Sequence, residues 1–395
     1  MSRFHALRHL LGVWLALGSG LVAVVVATSP VSVAVAVEQR VTISILPPIS
    51  QYGATPTRPS TALTVVAVEV SPATPGRTVT LSRASGKSWK SVARTTLTSR
   101  GLAEFSVPTL TFGRPVTYRA TALAFAGEPA VTTRGVLSTQ WGAPDFVEEF
   151  SGTALTSSWS HRGTDYNPVG LRKCSRGSSQ AVRVAGGVVR LSVMRDPSRT
   201  DRCAAYRANG DPLGEFDYRL NGHISTAGHQ DLTYGVAAAR MKFQQLRGQH
   251  GAFWMQPSVP VAGATSAAGG GAEIDVIEWF GEGSGGLSGS VYYPTPTGQA
   301  KAGGWVADQS AYLGSASDSW WSNYHVFSVE WSPSGYVFRV DGRETWRTSD
   351  GVSGRAQYLI LSLLSSDYEL PNLGGEDRLP QHLFVDWVQF WRSAS

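Results

Sequence analysis

From Trp141 to the C-terminus the chain alternates apolar and polar residues with period two, almost without a break. "VVRLSVM", "GAFWMQP", "SGSVYYP", "HVFSVEW", "AQYLILSLL" and "LFVDWVQFW" all read as strands, and "YVFRVDGRETWR" reads as a hairpin turning at Asp341-Gly342. No convincing amphipathic helix interrupts them. Successive strand side chains face opposite ways, so such runs bury their apolar faces by packing sheet on sheet. A span of about 250 residues with this texture predicts one large all-β sandwich over 141–395.

The chain before it differs in charge. Residues 41–140 hold ten Lys and Arg against three acids, whereas 141–395 hold twenty-one against twenty-five. The split predicts two modules, the first drawn to an anionic surface or a cell wall, or else simply carrying a solvated basic face. Short alternating runs from "LTVVAVEV" to "VTYRATALAF" make residues 61–139 a small β-sandwich resembling a bacterial immunoglobulin-like domain. Residues 37–60, rich in Pro, Ser and Thr, read as a linker. The second module is therefore expected to keep its site when the first is removed.

The first 36 residues read as an export signal. Arg3 and Arg8 precede an apolar run from Leu10 to Ala27, and Ala34-Val35-Ala36 offers a small-residue cleavage site. The protein is expected to be secreted, with a retained membrane or cell-surface anchor as the alternative. Cys174 and Cys203, the only two cysteines, are then expected to form one disulfide, since thiols outside the cytoplasm usually pair.

Several chemistries can be set aside. Gly281, Gly283 and Gly286 match GxGxxG, but a strand follows where a dinucleotide site needs a helix. The eight His show no metal-ligand spacing, and no GxSxG elbow is present. No metal centre, cofactor or nucleic-acid partner is expected. What remains is "GAEIDVIEWFG", an apolar run that spends three acids within six positions: Glu273, Asp275 and Glu278. Glu273 and Asp275 share a strand face. Glu278 lies three beyond Asp275 and belongs on the opposite face, unless one residue is bulged out at Val276 or Ile277. With a bulge, all three acids line one face. An acidic strand face is more often solvated than catalytic. Here it stands among eleven of the thirteen Trp, whose rings can stack on sugars. Two carboxyls about 5–6 Å apart are what a double-displacement glycosidase uses.

The stretch resembles the signature of glycoside hydrolase family 16 in its bulged form, E-x-D-x-x-E. Its flanks are similar as well: "EEFSGTALTSSW", "YGVAAARMKF", "GAFWMQP", "YHVFSVEWSPSGYVFRVDG" and "VDWVQFW" occur in the family's order. The resemblance implies a concanavalin-like jelly roll with a sugar-binding groove on its concave sheet. It also implies Glu273 as nucleophile, Glu278 as general acid and base, and Asp275 tuning the pair. Trp254, Tyr292 and His325 fall on groove positions, and Trp279 is expected in the core. Tyr292, Ala238, Ser362 and His223 depart from the residues usual at their positions. Many relatives hold a structural calcium, for which Glu149 and Asp386 are the matching acids, too weak a match to assign a metal.

The expected activity is that of a secreted, monomeric, retaining endo-glycosidase acting on a β-linked polysaccharide, β-1,3-glucan first, with a galactan or a transglycosylation as variants. The alternative is a non-catalytic carbohydrate-binding or surface adhesion protein, which would keep the aromatics but has no need of both Glu273 and Glu278.

Overall fold

The computed structural model describes residues 39–393, and the export signal expected over 1–36 lies outside them. The chain builds two sandwiches in succession. The first is made of β1 (Arg40–Ser50), β2 (Leu63–Ser71), β3 (Thr78–Ser85), β4 (Ser88–Thr96), β5 (Leu102–Val107) and β6 (Thr117–Ala122), with short flanking strands. One sheet runs β1-β2-β5 and the other β6-β3-β4. Val66, Val68 and Val70 alternate into the core between them, where they meet Leu81, Phe105 and Tyr118. Val65, on the opposite face of β2, is buried elsewhere.

The stretch expected to be a linker, 37–60, is not one. It contributes β1, which pairs antiparallel with β2 along its length. Pro47 and Pro48 disguised it, because proline cannot donate to a ladder. The strand accommodates them by shifting register between Leu46 and Pro48 and again before Ser50.

The second sandwich is a jelly roll. Its strands are β7 (Val188–Arg195), β8 (Arg219–Ser225), β9 (Gly235–Lys242), β10 (His250–Pro257), β11 (Glu273–Trp279) and β12 (Leu287–Thr295), then β13 (Gly298–Trp305), β14 (His325–Ser332), β15 (Gly335–Val340), β16 (Arg343–Thr348), β17 (Gln357–Leu364) and β18 (Gln381–Arg392). The front sheet runs β13-β12-β11-β10-β17-β8 and the rear sheet β8-β7-β18-β9-β14-β15-β16. β8 belongs to both: Asn221 pairs with β7 and Gly222 with β17. At Gly222 the layers come close, since a Cβ there would sit 2.7 Å from Leu191. Phe253, Met255, Ile274, Leu191, Val385 and Phe390 fill the space between the sheets. Among the described residues the one α-helix is the single turn Ala267–Gly270.

The outer face of the rear sheet is not solvated. Val236 and Ala238 of β9, Val326 of β14, and Trp387 and Trp391 of β18 point away from the jelly-roll core. They are covered by Leu46, Ile49, Ala62 and Val65 of the first sandwich. Trp141 packs beside this patch and donates its indole N–H to the Ile45 carbonyl at 2.7 Å. Polar contacts close the seam. Fully buried Arg240 pairs with Asp386 and donates to the carbonyls of Gln51, Gly53 and Thr55. Arg339 pairs with Glu104 at 2.5 Å, and Arg100 with Glu344 at 2.9 Å. Two sandwiches that share an apolar patch and buried ion pairs are not independent modules. Charge crosses the seam in both directions, since Arg100 of the first reaches Glu344 while Glu104 of the first takes Arg339 of the second.

Removing Arg240 leaves Asp386 buried without its ionic partner and takes a donor from the carbonyls of Gln51, Gly53 and Thr55, so Arg240→Ala is expected to lower stability by about 3–5 kcal/mol. Chemical denaturation of the full chain reads this loss. A change within experimental error would mean that the seam contributes little.

Candidate active site

The acid strand β11 lies between β10 and β12. On β10, Trp254 stands opposite Asp275 and Phe253 opposite Ile277, which leaves Val276 as the extra residue. On β12, Ser290 faces Asp275 and Ser288 faces Glu278, again with one residue to spare on β11. The bulge at Val276 restores the parity that the spacing had broken. Ile274, Val276, Ile277 and Trp279 are all buried in the core, and the Trp279 indole donates to the Gln244 carbonyl at 2.8 Å. Glu273, Asp275 and Glu278 are left together on the open face of the front sheet.

Cross-strand rows across this face give the site its composition. The first row is Tyr358, Gln256, Glu273, Tyr292 and Lys301. The second contains Trp254, Asp275 and Ser290, and the third His223, Ser362, Ala252, Glu278, Ser288 and Trp305. Glu273 is fixed by a relay: Gln256 donates to it at 2.7 Å and accepts from Arg162 at 2.9 Å and from the Tyr358 hydroxyl at 3.0 Å. The Arg162 guanidinium also lies over the Trp254 ring at 5.5 Å. Trp254 donates to Ser362 at 3.1 Å and stacks on His223.

Electrostatics separate the three acids. Burial pushes Asp275 well above the usual carboxylate range, and the charges of Glu278 and Glu273 push it further, with Lys301 pulling back. Burial also raises Glu278, against the opposing pull of His250 and Lys301. Burial lowers Lys301, but Tyr292 and the acids outweigh it and the ammonium is held charged. His223 is pushed down to about 3 by burial and then by Arg162 and Arg172, so its ring is neutral. Close carboxyls in a half-buried site cannot all ionise, and the proton is retained on the most buried ones.

Comparison with known proteins agrees with this arrangement. Residues 180–358 match the model of glycosyl hydrolases family 16. The matched segment contains the acid strand β11. Over 276 residues the chain is 28% identical to glucan endo-1,3-beta-glucosidase A1 of Niallia circulans, covering 62% of this chain and 37% of that protein. It is 22% identical over 187 residues to the clotting factor G alpha subunit of Tachypleus tridentatus, covering 46% and 26%. The chain thus spans well under half the length of these two relatives. Among solved structures, the catalytic domain of an endo-1,3-beta-glucanase (laminarinase) from Thermotoga petrophila aligns at 17% identity and TM-score 0.49, covering 64% of this chain and 98% of that one.

Within the matched segment, Trp254 stands opposite Asp275 and Tyr292 opposite Glu273. His325 does not join them. It sits on β14 of the rear sheet, fully buried, with Nδ1 2.7 Å from Asp341 and Nε2 3.3 Å from Asp318. Burial lowers its basicity, but the Asp341 hydrogen bond and the two carboxylates outweigh this and raise it overall. It is a clamped structural histidine, placed by similarity of its flanks and not by any contact with the groove. Asp386, the other carried-over acid, is already neutralised by Arg240 and accepts from the Thr57 amide at 2.9 Å, so a cation would have to displace a guanidinium. Cys174 and Cys203 are bonded as expected.

Other groove residues escaped the sequence. Gln256 shares the parity of Trp254, and Lys301 has the parity of Gly303 and Trp305, so both could have been found by counting along their strands. Arg162 and Tyr358 come from segments distant in sequence and carried no such signal. His250 bonds Glu369 at 2.7 Å and stacks on Phe280, which in turn meets Trp305 edge-on.

An acid whose folded pKa is raised favours folding only while protonated, so its contribution falls as pH rises from the unfolded value through the folded one. Asp275→Asn removes that titration. The melting temperature of the variant relative to the parent should therefore rise between pH 4 and pH 7. Parallel thermal melts at the two pH values check this, and a constant difference would mean Asp275 ionises normally.

Proposed function

We propose that this chain is a retaining endo-glycosidase that hydrolyses a β-linked polysaccharide, β-1,3-glucan first. The reading rests on one observation above the rest: three acids of one strand share the open face of an aromatic-lined sheet because Val276 is bulged out. The endo-1,3-β-glucosidase relative supports the choice of glucan.

The local environments distinguish the two glutamates. Glu273 accepts a hydrogen bond from Gln256, which is itself held by Arg162. That contact fixes the orientation of the carboxylate on the open face, as a nucleophile requires. Burial raises Glu278, the direction that favours the protonated form a general acid needs. Glu273 attacks the anomeric carbon as Glu278 protonates the leaving oxygen. Glu278, now a base, then takes a proton from the water that cleaves the glycosyl-enzyme. A second sugar in place of that water gives transglycosylation. Asp275, held neutral between them, keeps the trio from carrying three negative charges.

A disulfide and the leader-like first 36 residues support an extracellular working place. Residual basic surface on the first sandwich suits contact with an anionic cell wall.

Glu273→Gln and Glu278→Gln should each reduce laminarin hydrolysis by about 10²–10⁴-fold. Azide should restore activity to Glu273→Ala with inversion of the product anomer. A Glu273→Gln variant with most of its reducing-sugar release intact would exclude the nucleophile assignment.

Lys301 lowers Glu278 by charge alone, so Lys301→Met should let Glu278 hold its proton to higher pH. The alkaline limb of the kcat/KM profile is then expected to move upward. An unchanged limb would mean that another group sets it.

A further inference from the structure

The long segment between β7 and β8 folds into a hairpin, Arg202–Tyr206 with Pro212–Asp217, which is outside both main sheets. Nothing in the two-carboxylate chemistry calls for it, yet it is held firmly. Cys203 in its first strand is bonded to Cys174, and Leu213, Phe216 and Tyr218 pack around that disulfide with Leu370. A third element completes the assembly: Asp367 accepts from the Cys174 amide at 3.1 Å and donates its own amide to the Leu171 carbonyl at 2.9 Å. Loop, hairpin and the turn Asp367–Leu373 are thereby one rigid body.

What this body presents is unusual for a surface. Leu171 is 59% exposed, Tyr368 44% and Tyr206 42%, and together with Arg207, Ala208 and Asn209 they line a cavity of 370 Å³. Two tyrosines and a leucine facing an open space, with an amide and a guanidinium at the rim, match the needs of a sugar: C–H faces stack on rings and hydroxyls take the polar groups. Leu171 lines a second cavity of 200 Å³, whose wall includes Arg172, Asn221 and His223. His223 is in the same cross-strand row as Glu278, three strands away, which is about 14 Å at the usual strand spacing. Leu171 is thus common to the cavity walled by His223 and to the one between Tyr206 and Tyr368. Tyr368 also adjoins Glu369, the partner of His250.

We propose that this disulfide-tethered hairpin forms a sugar-binding subsite beyond the acids, occupied by a ring of the same polysaccharide that is cut at Glu273 and Glu278. The assignment rests on the glycosidase reading, and its test separates the two. Full-length protein carrying Tyr206→Ala, Tyr368→Ala or both would be assayed on laminari-oligosaccharides of increasing length and on laminarin. One lost aromatic contact should lower kcat/KM on laminarin and the longest oligomers about three- to tenfold and leave the shortest cleaved oligomer unchanged. Cys203→Ser, which releases the hairpin, should produce the same length-dependent loss. Equal activity at every length, or an equal loss at every length, would overturn the subsite. Retardation in laminarin gels supplies a readout that needs no turnover. A parent chain inactive on every glucan but retarded in a Tyr206-dependent way would end the hydrolase reading and keep the subsite. Retardation indifferent to Tyr206 and Tyr368 would end the subsite.

Discussion

One extra residue in β11 carries the rest of the site. Without the bulge at Val276, strand parity would turn Glu278 into the core and Trp279 into the groove. A carboxylate would then replace an indole that packs against Phe243 and bonds the Gln244 carbonyl. An unpaired carboxylate in such a core costs several kcal/mol or loses its charge. The bulge removes that conflict by letting two consecutive residues, Val276 and Ile277, both pack inward. The geometry that gathers the three acids and the packing that closes the jelly roll are therefore one event.

Gathering acids carries its own electrostatic cost, and the surrounding residues show how it is met. Lys301 supplies positive charge from the β13 side. Arg162 is not in contact with any of the three acids. It acts through Gln256, which transmits orientation to Glu273 through a neutral amide. A direct guanidinium contact would also have fixed Glu273, but as a strong charge-assisted pair. The amide positions without neutralising.

How much of this was legible in the sequence depends on the range of the interaction. Alternation is local, so the two sandwiches and the run of strands in the second could be read from their residues. The bulge was legible too, because three acids in an apolar run left only two placements for Glu278 and one was prohibitive. β1 was obscured by Pro47 and Pro48, whose cost is relieved only by register shifts that no local pattern announces. His325 was misplaced because its flanks match a groove strand while its ring is claimed by Asp318 and Asp341, residues that meet it only in the fold. Arg240 reads as one more basic residue in "AAARMKF", and its role depends on Gln51, Gly53 and Thr55, which are distant in sequence.

The covered rear sheet has a mechanical consequence. A two-layer sandwich can flex by changing the twist of its outer sheet, and the opposite groove then opens or flattens with it. Here that sheet is backed by Leu46, Ile49 and Val65 and stapled by Arg240 and Arg339, so its curvature is set from behind. The front face then behaves as a fixed mould. A polymer passing over it has to supply the bend itself, and chains whose linkages curve naturally meet the mould at less cost than straight ones.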